Sequence, residues 1–271
     1  MPNNQAHDTR TTVAEDRVVA AVSLSVAGVA SSDELSSIFS DSFESGDKSA
    51  STNGFAWTDS VRAGVANTNP LTGSYSLEFN FQPANAEGDA FAEQRFDLGS
   101  LYSQVEVEFD LYIPSGNESW TNEAYFHSNS NNKLFRLWGG GYSSFEKIGA
   151  SLWGQSDGTS KFIIDWNNDG QGTGPKGTHV DNFISASDRG SWINVRMYFK
   201  CASSYVEGGP GNGAVKVWRN GVLIIDDKVN NYSEGADHAW QNGYLLGWQN
   251  GAQPDGLTLH IDNVSFKGVA A

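Results

Sequence analysis

Residues 105–113 read VEVEFDLYI, and this stretch decides the fold. Val105, Val107, Phe109, Leu111 and Ile113 fall on one face, and Glu106, Glu108, Asp110 and Tyr112 on the other. An unbroken period of two marks a half-buried antiparallel strand, and Pro114-Ser115-Gly116 stops it. Residues 192–201, WINVRMYFKC, repeat the pattern, with Ile193, Val195, Met197 and Phe199 inward and Arg196, Tyr198 and Lys200 opposite. Residues 214–226, AVKVWRNGVLIID, set Asn220-Gly221 between two apolar runs, the signal of a type I′ hairpin. Further strands are predicted at 74–81, 91–96, 124–127, 134–138, 148–153, 161–167, 243–248 and 257–267. No helical pattern occurs beyond residue 40. Many short strands with frequent turn signals predict an all-β sandwich or jelly roll. FSDSFE at 39–44 and HIDNVSF at 260–266 are both short, alternating and acidic, so pairing the first and last strands would close the domain.

The chain has 271 residues, 38% hydrophobic and 12% aromatic, enough bulk for one large core. Its 17 Lys and Arg against 32 Asp and Glu give a net charge of −15, which argues against nucleic acid and anionic membranes as partners. It also disfavours a polyanionic sugar unless a local basic patch exists. Cys201 is the single cysteine, so no internal disulfide forms, and its apolar setting predicts a buried thiol.

Residues 1–17 are polar and 18–30 apolar but small. The apolar run is too short to span a membrane. The segment before it is long and slightly acidic, unlike the basic start of a secretory signal. Residues 1–36 are therefore expected to be an arm that docks on a partner subunit, as in a homo-oligomer, with folding back onto its own domain as the alternative. Residues 37–271 are expected to form the domain.

Four pieces carry a resemblance: FSDSFESGD near the start of the domain, GAVKVWRNG at 213–221, GYLLGWQN at 243–250 and LHIDNV at 259–264. Together they resemble a concanavalin A-like jelly roll of two antiparallel sheets. More narrowly, they are similar to the heparin-lyase-like polysaccharide lyase branch, and to jelly rolls in structural proteins of marine tailed phages. The resemblance spans about residues 37–269 and rests on framework strands, so it implies a fold more than an activity.

It implies a glycan platform of aromatics on strands, for which Trp138, Trp153, Trp166, Trp218 and Trp248 are the candidates, with core packing as the alternative. A lyase must neutralise a uronate carboxylate, take the proton at C5 and protonate the leaving oxygen. Tyr198-Phe-Lys200 followed by Tyr205, with Arg196 on the same face, resembles the YFKAG-x-Y element of alginate lyases. The partner motifs of that family are absent, and Arg95 and His127 are the substitutes. Solvated strand residues are the alternative reading.

Glu106, Glu108 and Asp110 lack the E-x-D-x-x-E order of glucanases, and no G-x-S-x-G or phosphate loop is present. DWNNDG at 165–170 opens like a calcium loop, but its twelfth position is Lys176, which opposes a cation. A structural Ca²⁺ near the first and last strands is implied by the resemblance, with Asp41, Glu44 and Asp262 as its oxygens. No other cofactor is expected.

Two readings follow. One is a non-enzymatic structural or decoration protein on a larger assembly such as a virion surface, or at an extracellular location, anchored by residues 1–36 and displaying a glycan-binding face. The alternative is a polysaccharide lyase acting by β-elimination, or a secreted carbohydrate-binding module.

Overall fold

The computed structural model describes residues 34–82, 90–115, 131–139, 147–154, 159–167, 179–203, 212–230, 239–249 and 257–271; at 131, 147, 165–167, 228–230 and 249 the backbone alone is described. The strands, in chain order, are β1 (Ser36–Asp41), β2 (Ala56–Val61), β3 (Ala63–Ala66), β4 (Ser76–Phe81), β5 (Ala90–Ile113), β6 (Asn131–Trp138), β7 (Lys147–Gly154) and β8 (Ser160–Asn167), then β9 (His179–Ile184), β10 (Ser191–Lys200), β11 (Gly213–Arg219), β12 (Val222–Asn230), β13 (Trp240–Gln249) and β14 (Leu257–Ala270). Among the described residues the helical content is one 3₁₀ turn, Ala186–Asp188.

β5 organises the sandwich. Its first half pairs with β2 on one side and β13 on the other. Its second half pairs with β10 and β14. One layer is therefore β2–β5–β13–β6–β7–β8–β9, and the other is β12–β11–β10–β5–β14 with β1 and β4 beyond β14. All pairs are antiparallel, and passage of β5 between layers makes the hydrogen-bond ladder continuous.

β5 turns at Gly99, whose φ is +81° and whose N–H donates to Asp97 Oδ1 at 2.7 Å. A Cβ there would lie 2.5 Å from the carbonyl carbon of Gly54, so glycine is required for both the angle and the close approach.

The core lies between the layers and is largely aromatic. Phe96 of β5 meets Phe266 of β14 at 4.7 Å between ring centroids, and Phe135 of β6 meets Phe199 of β10 at 5.6 Å. Such pairs add about 0.5–1.5 kcal/mol each beyond the burial of their area. Val105, Val107, Phe109, Leu111 and Ile113 are all buried in this layer, on the face that their alternation predicts. The first and last of the described strands pair as expected, with Phe39 of β1 opposite Phe266 of β14.

Two differences from the sequence-based expectation have physical causes. The strands expected at 91–96 and 105–113 are one strand, because the turn at Gly99 does not break the ladder. β2, β3 and β9 were not expected: β2 reads AWTDSV and β9 HVDNFI, with mostly exposed or half-buried residues and no clean alternation. The expected strand at 124–127 lies outside the described residues. Cys201 is buried, as predicted.

Candidate functional site

Arg95 and Arg136 are each adjacent in sequence to a core phenylalanine, Phe96 and Phe135. Strand alternation therefore points both arginines away from the core, onto the outer face of the β5–β13–β6 layer. The register brings them into one row: Arg95 is opposite Tyr244 of β13, Tyr244 is opposite Arg136 of β6, and Arg136 is opposite Gly149 of β7. Neighbours in such a row have Cβ atoms about 4.5–5.5 Å apart. Tyr244 thus stands between the two arginines in the row, while the Arg95 guanidinium reaches toward Glu93 and toward Asp59 of β2, and that of Arg136 toward β7.

An outer sheet face is ordinarily solvated, yet Tyr244 is 3% exposed and Arg136 4%. Arg136 is fixed by hydrogen bonds from Nη1 to the carbonyls of Phe135 (3.1 Å) and Ala150 (3.3 Å), and from Nη2 to Ser151 Oγ at 3.0 Å. Gly149 makes its room, since a Cβ there would sit 2.4 Å from Arg136 Nη1. Lys133 is opposite Ser151 and half-buried, and adds a third cation on this side of β6.

Arg95 is held by Glu93, whose Oε1 accepts from Arg95 Nε at 2.7 Å and pairs with Nη2 at 2.5 Å, and Asp59 lies 3.6 Å from Nη1. Glu93 is itself buried, and its Oε2 has no hydrogen-bond partner among the described residues. Tyr244 packs edge-on against Trp138 at 5.1 Å.

β13 is irregular just beyond the row. Leu246 has φ +53°, and the register with β6 shifts between Leu245 and Gln249. A buried non-glycine residue in the left-handed region costs of order 1–3 kcal/mol and persists only where the surroundings impose it. The irregularity sits between Tyr244 and Trp248, while the pairing of β13 with β5 runs unbroken past both.

The predicted catalytic residues are divided between the two layers. Arg196, Tyr198 and Lys200 lie on the outer face of β10, opposite Glu108, Glu106 and Gln104 of β5. Tyr198 Oη donates to Gln104 Oε1 at 2.6 Å, and Arg196 stacks over the Trp218 ring at 3.9 Å. Arg95 stands in the other layer, beside Tyr244. Tyr205 and His127 lie outside the described residues.

The five tryptophans are divided as well. Trp138, Trp153 and Trp248 belong to the β5–β13–β6–β7 side, and Trp218 lies beneath Arg196 in the opposite layer. Trp138 is buried, Trp153 half-buried and Trp248 exposed. Trp166 pairs through its backbone with Ile148, and its side chain lies outside the described residues.

The row itself was missed from sequence. Alternation in LFRLW points Arg136 outward and GYLL does the same for Tyr244, but nothing local says that these strands are neighbours.

The three carboxylates suggested for Ca²⁺ hold main-chain loops. Asp41 accepts from Phe43 N and Trp57 Nε1, and Glu44 accepts from Ser74 N and Tyr75 N. Asp262 accepts from the amides of Leu71, Thr72 and Asn263. Burial pushes the carboxyls of Asp41 and Asp262 up, opposed by these hydrogen bonds. Among the described residues no group of three or more His, Cys, Asp or Glu is placed to hold a metal. The Asp165–Asn167 part of the calcium-like motif ends β8, and residues 168–178 lie outside the described residues.

Comparison with known proteins places the fold. No family model matches the chain, and no curated protein matches its sequence. Among solved structures, alginate lyase Aly36B in a mutant form with alginate trisaccharide is similar at a TM-score of 0.54 and 13% identity, over 79% of this chain and 88% of that one. A further structure of alginate lyase Aly36B is similar at 0.52 and 14%, over 77% and 84%. The binding domain of botulinum neurotoxin serotype D/C is similar at 0.54 and 11%, over 87% of this chain and 49% of that one. The chain is a jelly roll with a polysaccharide-lyase-like fold. Among the described residues no helix is long and apolar enough to cross a membrane.

Proposed function

We propose that this chain recognises an acidic, uronate-containing polysaccharide on the outer face of the β5–β13–β6 layer and cleaves it by β-elimination. The observation that carries this reading is the row Arg95–Tyr244–Arg136. Seventeen cationic side chains serve a chain of net charge −15, yet two arginines are the register neighbours of one tyrosine on a largely buried face. These arginines, with Lys133 beside Arg136, are the basic groups that a polyanionic sugar would meet on this face, and Glu93 and Asp59 offset the charge of Arg95.

In the reaction the arginines offset the charge of the uronate carboxylate, which acidifies the proton at C5. A base takes that proton, the C4–O4 bond breaks, a C4–C5 double bond forms and the leaving oxygen gains a proton. Tyr244 is the acid–base group that the row supplies. Similarity in fold to a lyase seen with alginate trisaccharide supports the substrate class. The test is to incubate the full chain with alginate, glucuronan and heparin and follow the ultraviolet absorbance of the unsaturated product. No product from any of the three refutes cleavage.

A second reading is a glycan-binding jelly roll without catalysis. It is favoured by the contacts that already hold Arg95 to Glu93 and Arg136 to two carbonyls and Ser151, which suit a fixed framework better than reacting groups. Retained binding without product supports it. The expected docking of residues 1–36 on an assembly is a separate proposal, since those residues include only the first position of β1 among the strands described here.

A further inference from the structure

We propose that Trp248, stacked on Phe91, is a second sugar-binding point on the same face, taking a pyranose ring of the chain whose uronate unit lies at Arg95–Tyr244–Arg136. This rests on the acidic-glycan reading and adds a ligand length and a direction.

Phe91, Glu93 and Arg95 alternate onto one face of β5, so Phe91 shares the face of the arginine row. Trp248 is opposite Phe91 in register, and the two rings stack at 4.8 Å with 11° between planes. Arg62 completes the pile, with its guanidinium carbon 4.9 Å from the Phe91 centroid and Nη1 donating to the Phe91 carbonyl at 3.2 Å. The indole is therefore held in place before a ligand arrives, which lowers the ordering cost of binding.

One ring face of Trp248 is covered by Phe91, yet the residue stays 36% exposed. Large exposed aromatics are rare on this chain's described surface, and an exposed indole on a rigid support suits the C–H face of a sugar ring. Phe91 and Arg95 are four residues apart on β5, about 13 Å at the rise of an extended strand. No single pyranose spans that distance, so the ligand that engages both points is an oligosaccharide lying along β5 and β13. The register of β13 with β5 is continuous between the two points, so alternation sets Tyr244 and Trp248 on one face, opposite Arg95 and Phe91.

The experiment is calorimetric titration of the full chain carrying Tyr244→Phe, so that ligand is not consumed, with alginate disaccharide and hexasaccharide. Trp248→Ala is expected to weaken the hexasaccharide about fivefold to tenfold and to leave the disaccharide unchanged. Trp248→Phe, which keeps a ring, restores most of the loss. A hexasaccharide affinity unchanged by Trp248→Ala overturns this inference and leaves the acidic-glycan reading standing. An equal fall for both lengths also overturns it, because the effect would then not be local to a second point. No binding of either length by the parent variant overturns both.

Discussion

Tyr244→Phe removes one oxygen from the centre of the site and leaves the ring. The ring is 3% exposed and packs on Trp138 at 5.1 Å, so phenylalanine keeps the packing and the shape of the face. The structural cost is at most one hydrogen bond, about 0.5–1.5 kcal/mol. In a domain of this size that lowers Tm by roughly 2–4 °C per kcal/mol.

The catalytic cost is different in kind. A positioned acid–base group contributes about 10²- to 10⁴-fold, equivalent to about 2.7–5.4 kcal/mol of barrier. Arg95 and Arg136 remain, so the binding of uncleaved polymer changes little. The assay is the initial rate of unsaturated product over a substrate series, with Tm measured on the same sample. The expected result is kcat down by at least a hundredfold with KM within a few-fold and a fold near wild-type stability. A variant within threefold of wild-type kcat refutes the role of Tyr244.

Other outcomes test the surroundings. Arg136→Lys keeps the charge but loses the fork that reaches Phe135 O, Ala150 O and Ser151 Oγ, so turnover or affinity is expected to fall at least tenfold in the product assay. Gly149→Ala places a Cβ 2.2 Å from Phe135 O and should cost about 1–3 kcal/mol in urea unfolding together with loss of activity. Tyr198→Phe, in the opposite layer, should leave product formation within twofold; a hundredfold loss would return the site to β10.

His260 is buried between Asn69 and Ser76, and burial depresses its pKa below 6.5 against the opposing pull of Glu78. The unfolded chain therefore binds the proton more readily, so this stabilisation is complete above 6.5 and is lost as pH falls through the lower folded value. Thermal melts between neutral and mildly acidic pH should show a steeper loss in wild type than in His260→Gln, and equal slopes would refute it. Deleting residues 1–33, which spares β1, should leave a folded monomer by light scattering if the arm docks on partners. A full-length chain that is already monomeric refutes docking.

Much of this protein is determined by its sequence alone. The alternation at 105–113 and 192–201 depends only on side chains one and two residues apart, so it set both the strands and their buried faces without reference to the rest of the chain. The Asn220-Gly221 turn is equally local, as is the outward aim of Arg95 beside Phe96.

Edge strands β2 and β9 were not legible, because they bury little and therefore carry little period. The site was only partly legible. Arg95 and Trp248 could be named from sequence, while Arg136 and Tyr244 could be seen to point outward but not to meet. Residues 95, 136 and 244 lie far apart along the chain, and their meeting depends on β13 inserting between β5 and β6. Strand order is fixed by which faces bury together across the whole sandwich, a long-range balance that no local pattern encodes. The pairing of Tyr198 with Gln104 and of Arg196 with Trp218 came from the same source, and it separates the motif that looked most lyase-like from the row that places two arginines around a tyrosine.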